Sequence, residues 1–474
     1  MFAKLQHRAL QAAQLFLVGI FFCFPVSLAA TNILMALMLI AWLLAGQFKT
    51  RWQSIQNNPI TLPALMLYGL VILGTAYSPA SGTEMLQPLN KYSKFLFVLM
   101  AITLLQDETW RQRCWRAFGY AMLFTLASVY ANIWFDLPWS VTHNQGWGVD
   151  HTVFKDYIAQ GIMMSLFVLL CIHYCLQATQ RTWRLLWGAL AVLALLSITH
   201  LSEGRTAYLA LFSSLALYGI SRITSRKKWL FMSLAGAMAL LLVTSSATLS
   251  HRVHSVVTEA QLFMSGSKDG STQHMTTSTG ARLAMWQLSV EHIQQQPVLG
   301  SGTGSYRHIA KQAFSDPAVC AIACVHPHNQ FLFFGVEYGL LGVAAYLLYF
   351  YRPYRFASTL STPNKALLLG FLGIFFVDSM VHGAMWVAVE SHYFTFMMAL
   401  FMAQTPDPRK RPAIPSSTDT PDLRASCPRH RSWTHVHQQP TPPARPWPPH
   451  LQPRVQSPAG CRLPHSRHVG RLCG

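Results

Sequence analysis

Apolar residues in this chain fall in long runs rather than at the alternating positions of a half-buried strand. A bilayer core of about 30 Å takes about 20 mostly apolar helical residues to cross, because a helix satisfies its own backbone where lipid offers no partner. Such runs recur to about residue 404 and predict spans near 9–29, 32–48, 60–78, 92–106, 117–136, 157–177, 185–201, 206–221, 229–247, 328–350, 366–385 and 388–404. The first is read as a span rather than a cleaved signal, since another follows it at once. Two stretches break the pattern. Residues 248–327 form a polar loop long enough to carry surface helices. Residues 405–474 hold 15 of the 26 prolines, have no periodicity, and are expected to be disordered. The predicted organisation is therefore all-α and polytopic, with about twelve transmembrane helices: residues 1–247 (helices 1–9), 248–327 (the loop), 328–404 (helices 10–12) and 405–474 (a Pro/Arg/His-rich tail).

Composition agrees with this reading. Of the 474 residues, 52% are hydrophobic and only 11% charged, which excludes an ordinary water-soluble globule. The net charge of +19 would suggest nucleic acid if it formed one surface patch. It does not: a net +8 lies in the tail, and most of the remainder sits in short loops on one side of the predicted bundle. With the N-terminus inside, Arg111, Arg113, Arg116, Arg181, Arg184, Arg352 and Arg355 all fall in cytoplasmic loops, as orientation by basic residues requires. Both termini are then cytoplasmic, and loop 248–327 is external. No nucleic-acid partner is expected.

Nine cysteines are present. Cys23, Cys171 and Cys175 lie in predicted spans, Cys114 in a cytoplasmic loop, and Cys427, Cys461 and Cys473 in the tail. Cys320 and Cys324 are external, just before His326 and His328. The run C-x3-C-x-H-x-H admits a local disulfide, a metal site or free thiols. No metal is expected, because an H-x-H pair on an extended segment lacks the usual helical ligand spacing.

Candidate chemistry concentrates at the end of the long loop. Leu283, Trp286, Val290 and Ile293 predict a helix over 281–296, closed by Pro297, with Thr279 as its N-cap. Arg282 then lies in the first turn, where its fork adds donors to free N–H groups that already suit an anion; a solvated arginine explains it as well. Gly300, Gly302 and Gly304 admit a phosphate cradle or a plain turn. Arg205 lies between two apolar runs at membrane depth, where a guanidinium faces a cavity, an anion or a carboxylate such as Glu203. Lys155 adds positive charge on the same predicted side. His328 opens the tenth span, and a neutral imidazole there can accept a hydroxyl proton.

His328-Asn329, nine residues, then Gly339-Leu340-Leu341-Gly342 resembles the pattern of O-antigen ligases. The R-T-x-x-L at Arg205, the R-x-x-x-W of Arg282 and Trp286, and PVLGSGTGSY agree in order with that family and with the wider superfamily of O-antigen polymerases and protein O-oligosaccharyltransferases. The charged Glu203 departs from it. The resemblance implies a GT-C-like membrane glycosyltransferase that moves a glycan, with inversion, from undecaprenyl diphosphate to a lipid A–core sugar hydroxyl at the periplasmic face of the bacterial inner membrane. It also implies that His328 is the catalytic base and that Arg205 and Arg282 hold the diphosphate, with Lys155 as a third candidate. No cofactor is expected. His326, Asn329 and Glu337 are expected to support His328, Glu337 pairing with His326 or an arginine. Gly339 and Gly342 are expected to admit a close helix neighbour.

Rival readings are a polymerase or protein glycosyltransferase of the same superfamily and, from another class, a proton-coupled transporter using Asp378, His382 and His392.

Overall fold

The computed structural model describes residues 2–143, 146–223, 247–265 and 273–410, with isolated positions 233, 236, 237 and 244. Most of the ninth predicted span, Lys268, the tail from residue 411, and Cys427, Cys461 and Cys473 lie outside the described residues. Among those described, all regular structure is helical and no strand occurs. In chain order the helices are α1 (Phe2–Val26), α2 (Leu28–Leu44), α3 (Phe48–Gln56), α4 (Thr61–Leu73), α5 (Gly82–Tyr92), α6 (Lys94–Leu104), α7 (Glu108–Ala131), α8 (Tyr157–Gln177), α9 (Arg181–His200) and α10 (Arg205–Arg222). They continue with α11 (Ala247–Ser265), α12 (Gln273–Thr276), α13 (Ser278–Gln295), α14 (Ser305–Ala313), α15 (Pro317–Ala323), α16 (Gln330–Ala357), α17 (Thr362–Val381) and α18 (Ala388–Met402).

Among the described residues, five helices are long and apolar enough to cross a membrane, or six if α2 and α3, bent by 115°, count as one span. Twelve were expected from the hydropathy pattern. Of the expected twelve, α4, α6 and α18, with 13, 11 and 15 residues, are each shorter than the about 20 that a straight crossing takes, α7 and α10 are long enough but less apolar, and most of the ninth lies outside the described residues. Ile33, Ile40, Leu43 and Leu44 on α2 and Leu185 and Val192 on α9 face outward, an apolar surface suited to lipid. The chain is a membrane protein.

Helix ends are set by local chemistry. Ser27, Asp107, Asp156, Asp316 and Asn329 each accept a backbone N–H of the helix that follows, and Ser81 with Glu84 forms a complete capping box at α5. The interior is packed rather than driven together by water, since lipid is as apolar as leucine. Small residues bring backbones close: Gly161 on α8 abuts Ala207 on α10, and Gly370 on α17 leaves room only for Leu169 of α8 and the Ser214 carbonyl of α10. Aromatic stacking ties α16, α17 and α18, with ring centroids of Phe350–Phe375 and Phe375–Phe394 at 4.6 and 4.3 Å.

One break positions everything that follows. Within α16, Gly339 adopts φ 60° and ψ −156°, a conformation suited to glycine. The loop 297–304 wedges against this break: Leu340 N–H donates to the Pro297 carbonyl at 2.8 Å, and Ser301 and Gly302 N–H donate to the Val336 and Glu337 carbonyls, each at 2.8 Å. A side chain at Gly339 would collide with the Val298 carbonyl. The expectation that Gly339 admits a neighbouring helix is thus corrected: what approaches it is loop backbone. Gly342 faces the Phe334 carbonyl and Tyr338 of its own broken helix.

Candidate functional site

His328 lies between α15 and α16 with φ 49°, one of two described non-glycine residues at positive φ. Such a backbone is disfavoured for a Cβ-bearing residue and persists only where surroundings impose it. Three contacts do so. Its own N–H donates to His326 Nδ1 at 3.0 Å. The following residue, Asn329, caps α16 by accepting the Leu332 N–H at 3.0 Å. The preceding carbonyl, that of Pro327, accepts the Trp286 indole N–H from α13 at 3.0 Å. His326 is itself fixed by stacking on Phe333 and Trp386, with centroids 4.7 and 5.6 Å away. Burial first, then the nearby His382 and Arg282, hold the His328 imidazole down at about 3, so it is neutral near pH 7. Its Nδ1 is buried and makes no hydrogen bond.

The helix expected over 281–296 forms as α13, Ser278–Gln295, and its N-cap is Thr277, which accepts the Gly280 N–H; Thr279 sits inside the first turn instead. Arg282 is half-buried. One Nη donates to Ser278 Oγ at 3.2 Å, and its Nε is buried without a partner. Burial, followed by the positive charge of Arg205, lowers its pKa. Arg282 is electrostatically near both Arg205 and His328, so the structure brings these three sequence candidates to one region.

Arg205 opens α10, and the carboxylate paired with it is Glu259 of α11, with Nη2 to Oε1 at 2.8 Å. The expected partner was Glu203, two residues away. The correction is geometric: α11 folds back so that residues 54 positions apart meet, which no local pattern shows. Lys155 is half-buried in the segment before α8, beside Asp156 and electrostatically near His392, and its neighbours Asp156 and Tyr157 are electrostatically near His382 and Arg282.

Glu337 is fully buried, but its partners differ from the expected His326 or arginine. Oε1 accepts the Gly304 N–H and Oε2 the Tyr338 hydroxyl, each at 2.9 Å. The GSGTG stretch is therefore no phosphate cradle. The N–H groups of Ser301, Gly302, Thr303 and Gly304 are all spent on the protein, on the Val336, Glu337 and Gly74 carbonyls and on Glu337 Oε1.

A second buried cluster adjoins His328. The His382 ring centroid lies 5.2 Å from that of His328, and His382 Nδ1 is 3.3 Å from Glu390 Oε1 and 3.8 Å from Asp378 Oδ1. Among the described residues this is the one group of three with ligand atoms close enough together to hold a metal ion. The rival transporter reading groups Asp378 and His382 with His392. His392 instead turns its Nδ1 to its own helix, at the Ala388 carbonyl. Glu390 and Trp386 were missed, and only the fold brings them to His328. Cys320 of α15 and Cys324 at its C-terminal cap are joined as a disulfide, which leaves no Cys2His2 zinc site there.

Residues 190–347 match the family model described as O-Antigen ligase. The match covers Arg205, Glu259, Arg282, Trp286, His326 and His328, and it bears out the resemblance read from the H-N-x9-G-x-x-G pattern: this segment supports the O-antigen ligase family, within the ligase and polymerase superfamily of enzymes acting on glycans. Such a family implies, in general terms, a lipid-linked glycan and a lipid acceptor. Comparison with curated proteins yields no match.

Proposed function

We propose that this chain is an O-antigen ligase of the bacterial inner membrane, with about twelve spans in a GT-C-like arrangement, both termini cytoplasmic and the site on the periplasmic side. Its donor is an O-antigen glycan on undecaprenyl diphosphate and its acceptor a sugar hydroxyl of lipid A–core. The acceptor oxygen attacks the anomeric carbon from the face opposite the diphosphate, the bond from that carbon to the diphosphate oxygen breaks, and configuration inverts. The hydroxyl proton passes to His328. The diphosphate leaves with the bonding pair, and Arg282 and Arg205 stabilise the charge it gains. The reaction needs no metal, because the diphosphate is already an activated leaving group and two guanidiniums are at hand to receive it.

The observation that carries this reading is the tether from Trp286 to Pro327, which links the helix bearing Arg282 to the strained backbone of His328. An imidazole held at about 3 is by itself a feeble base. A bound diphosphate reverses part of the cause, since its negative charge offsets the repulsion from Arg282, and His328 gains basicity when the donor is in place. Beyond His328, Asp378 and Glu390 gather on His382, whose positive charge is one of the causes that keep His328 neutral before donor binds.

The test is transfer in vitro from purified undecaprenyl-diphosphate-linked glycan to purified lipid A–core, with and without chelator. Product that survives chelator supports the reading. Chain extension on the lipid-linked glycan, with none on lipid A–core, points to a polymerase.

A further inference from the structure

The carboxylate of Glu259 occupies an anion site built by other parts of the chain. Arg205 grips it with both terminal nitrogens, Nη2 to Oε1 at 2.8 Å and Nη1 to Oε2 at 3.3 Å. The backbone N–H of Thr279, in the first turn of α13, donates to Oε2 at 2.8 Å. Around this core, Ser255 Oγ and Thr279 Oγ1 accept from Arg205 at 2.8 and 3.0 Å. A guanidinium fork combined with a free N–H of a helix N-terminus is the donor set that recognises a phosphate oxygen pair. Burial opposes the charge on Glu259, yet Arg205 and Thr279 outweigh it and hold this carboxyl at about 2, so it stays anionic at any working pH. The helix that delivers it is weakly held: no described residue of α11 is buried, and Val256, Val257, Leu262 and Met264 are exposed. Elements with few buried contacts open at low cost.

We infer that Glu259 is an internal stand-in for the donor's diphosphate, and that α11 must withdraw its carboxylate from Arg205 and Thr279 before a lipid diphosphate can bind there. This inference rests on the donor proposed above. It makes Glu259 a competitor that sets apparent donor affinity, since only the fraction of molecules with the carboxylate withdrawn can bind.

The experiment measures binding of undecaprenyl diphosphate to the full-length protein in nanodiscs, for wild type and Glu259→Gln, alongside donor KM and kcat in the transfer assay. Glu259→Gln is expected to bind about five- to tenfold more tightly, as release of a closed population of roughly 80 to 90% would give, and to lower KM while kcat holds. Unchanged or weaker binding overturns the inference and makes Glu259 a support for Arg205. A second readout needs no variant: adding undecaprenyl diphosphate to wild type is expected to speed amide exchange in residues 247–265, and slower or unaltered exchange overturns the inference. Failure of wild type to transfer glycan, with the binding and exchange shifts present, overturns the ligase reading and leaves the internal competitor standing.

Discussion

The Trp286 indole N–H donates to the Pro327 carbonyl at 3.0 Å. Through this bond the surface helix α13 and the segment entering α16 act as one unit, so the position of Arg282 and the backbone conformation of His328 are coupled rather than independent. Trp286→Phe keeps the ring and removes the donor. Losing one such bond costs about 1 kcal/mol, and more if the carbonyl is left unpaired, so kcat is expected to fall about five- to a hundredfold with donor KM little altered. Steady-state kinetics on the purified protein checks this; a change confined to KM would place Trp286 in binding instead.

His328→Ala removes the proposed base. General-base catalysis contributes typically 10²–10⁴-fold, so transfer is expected to drop by about that factor. Its thermal unfolding midpoint should stay near that of wild type, because the imidazole Nδ1 makes no hydrogen bond that the change would break. Residual activity within a few-fold of wild type would remove the role.

Arg282→Lys retains the charge and loses the planar fork. An ammonium cannot reproduce a bidentate grip on a diphosphate, so kcat/KM is expected to fall at least about tenfold. Full activity in the lysine variant would show that point charge alone suffices.

The pH dependence follows from the lowered pKa of His328. A base that titrates at about 3 is already deprotonated at pH 5, so the acid limb of kcat/KM for donor, which reports the free enzyme, is expected below about pH 4 rather than near 6.5. Stability runs the other way from a paired histidine. The folded pKa lies below the unfolded one, the unfolded chain binds the extra proton between about 6.5 and 3, and stability therefore declines as pH falls through that window. An acid limb centred near pH 6.5 would contradict the buried, cation-flanked setting of this imidazole.

Gly339→Ala tests the wedge between the loop and the broken helix. At φ 60° a Cβ would collide with the Val298 carbonyl. The variant is expected to lose more than the ~1 kcal/mol of the conformational penalty alone, and to show a clearly lower unfolding temperature in detergent. Wild-type stability would mean that loop 297–304 can retreat freely.

Much of this site was legible along the chain. The apolar runs imposed helices, the spacing of Leu283, Trp286, Val290 and Ile293 marked α13 to within a turn, and the order of Arg205, Arg282 and His328 carried the family resemblance that the match over residues 190–347 bears out. These are local properties: a run of side chains, a 3.6-residue period, a motif of fixed spacing. The tertiary structure decided what depends on distance in space. Glu259 rather than Glu203 meets Arg205 because α11 turns back across 54 residues. Glu337 takes the Gly304 N–H because the loop enters the break at Gly339. His382, Asp378 and Glu390 stand beside His328 because α17 packs against α16 and α18 against α17. A sequence names the groups able to carry charge, but their pairing is set by which backbone can approach which, and that is fixed only when the helices have packed.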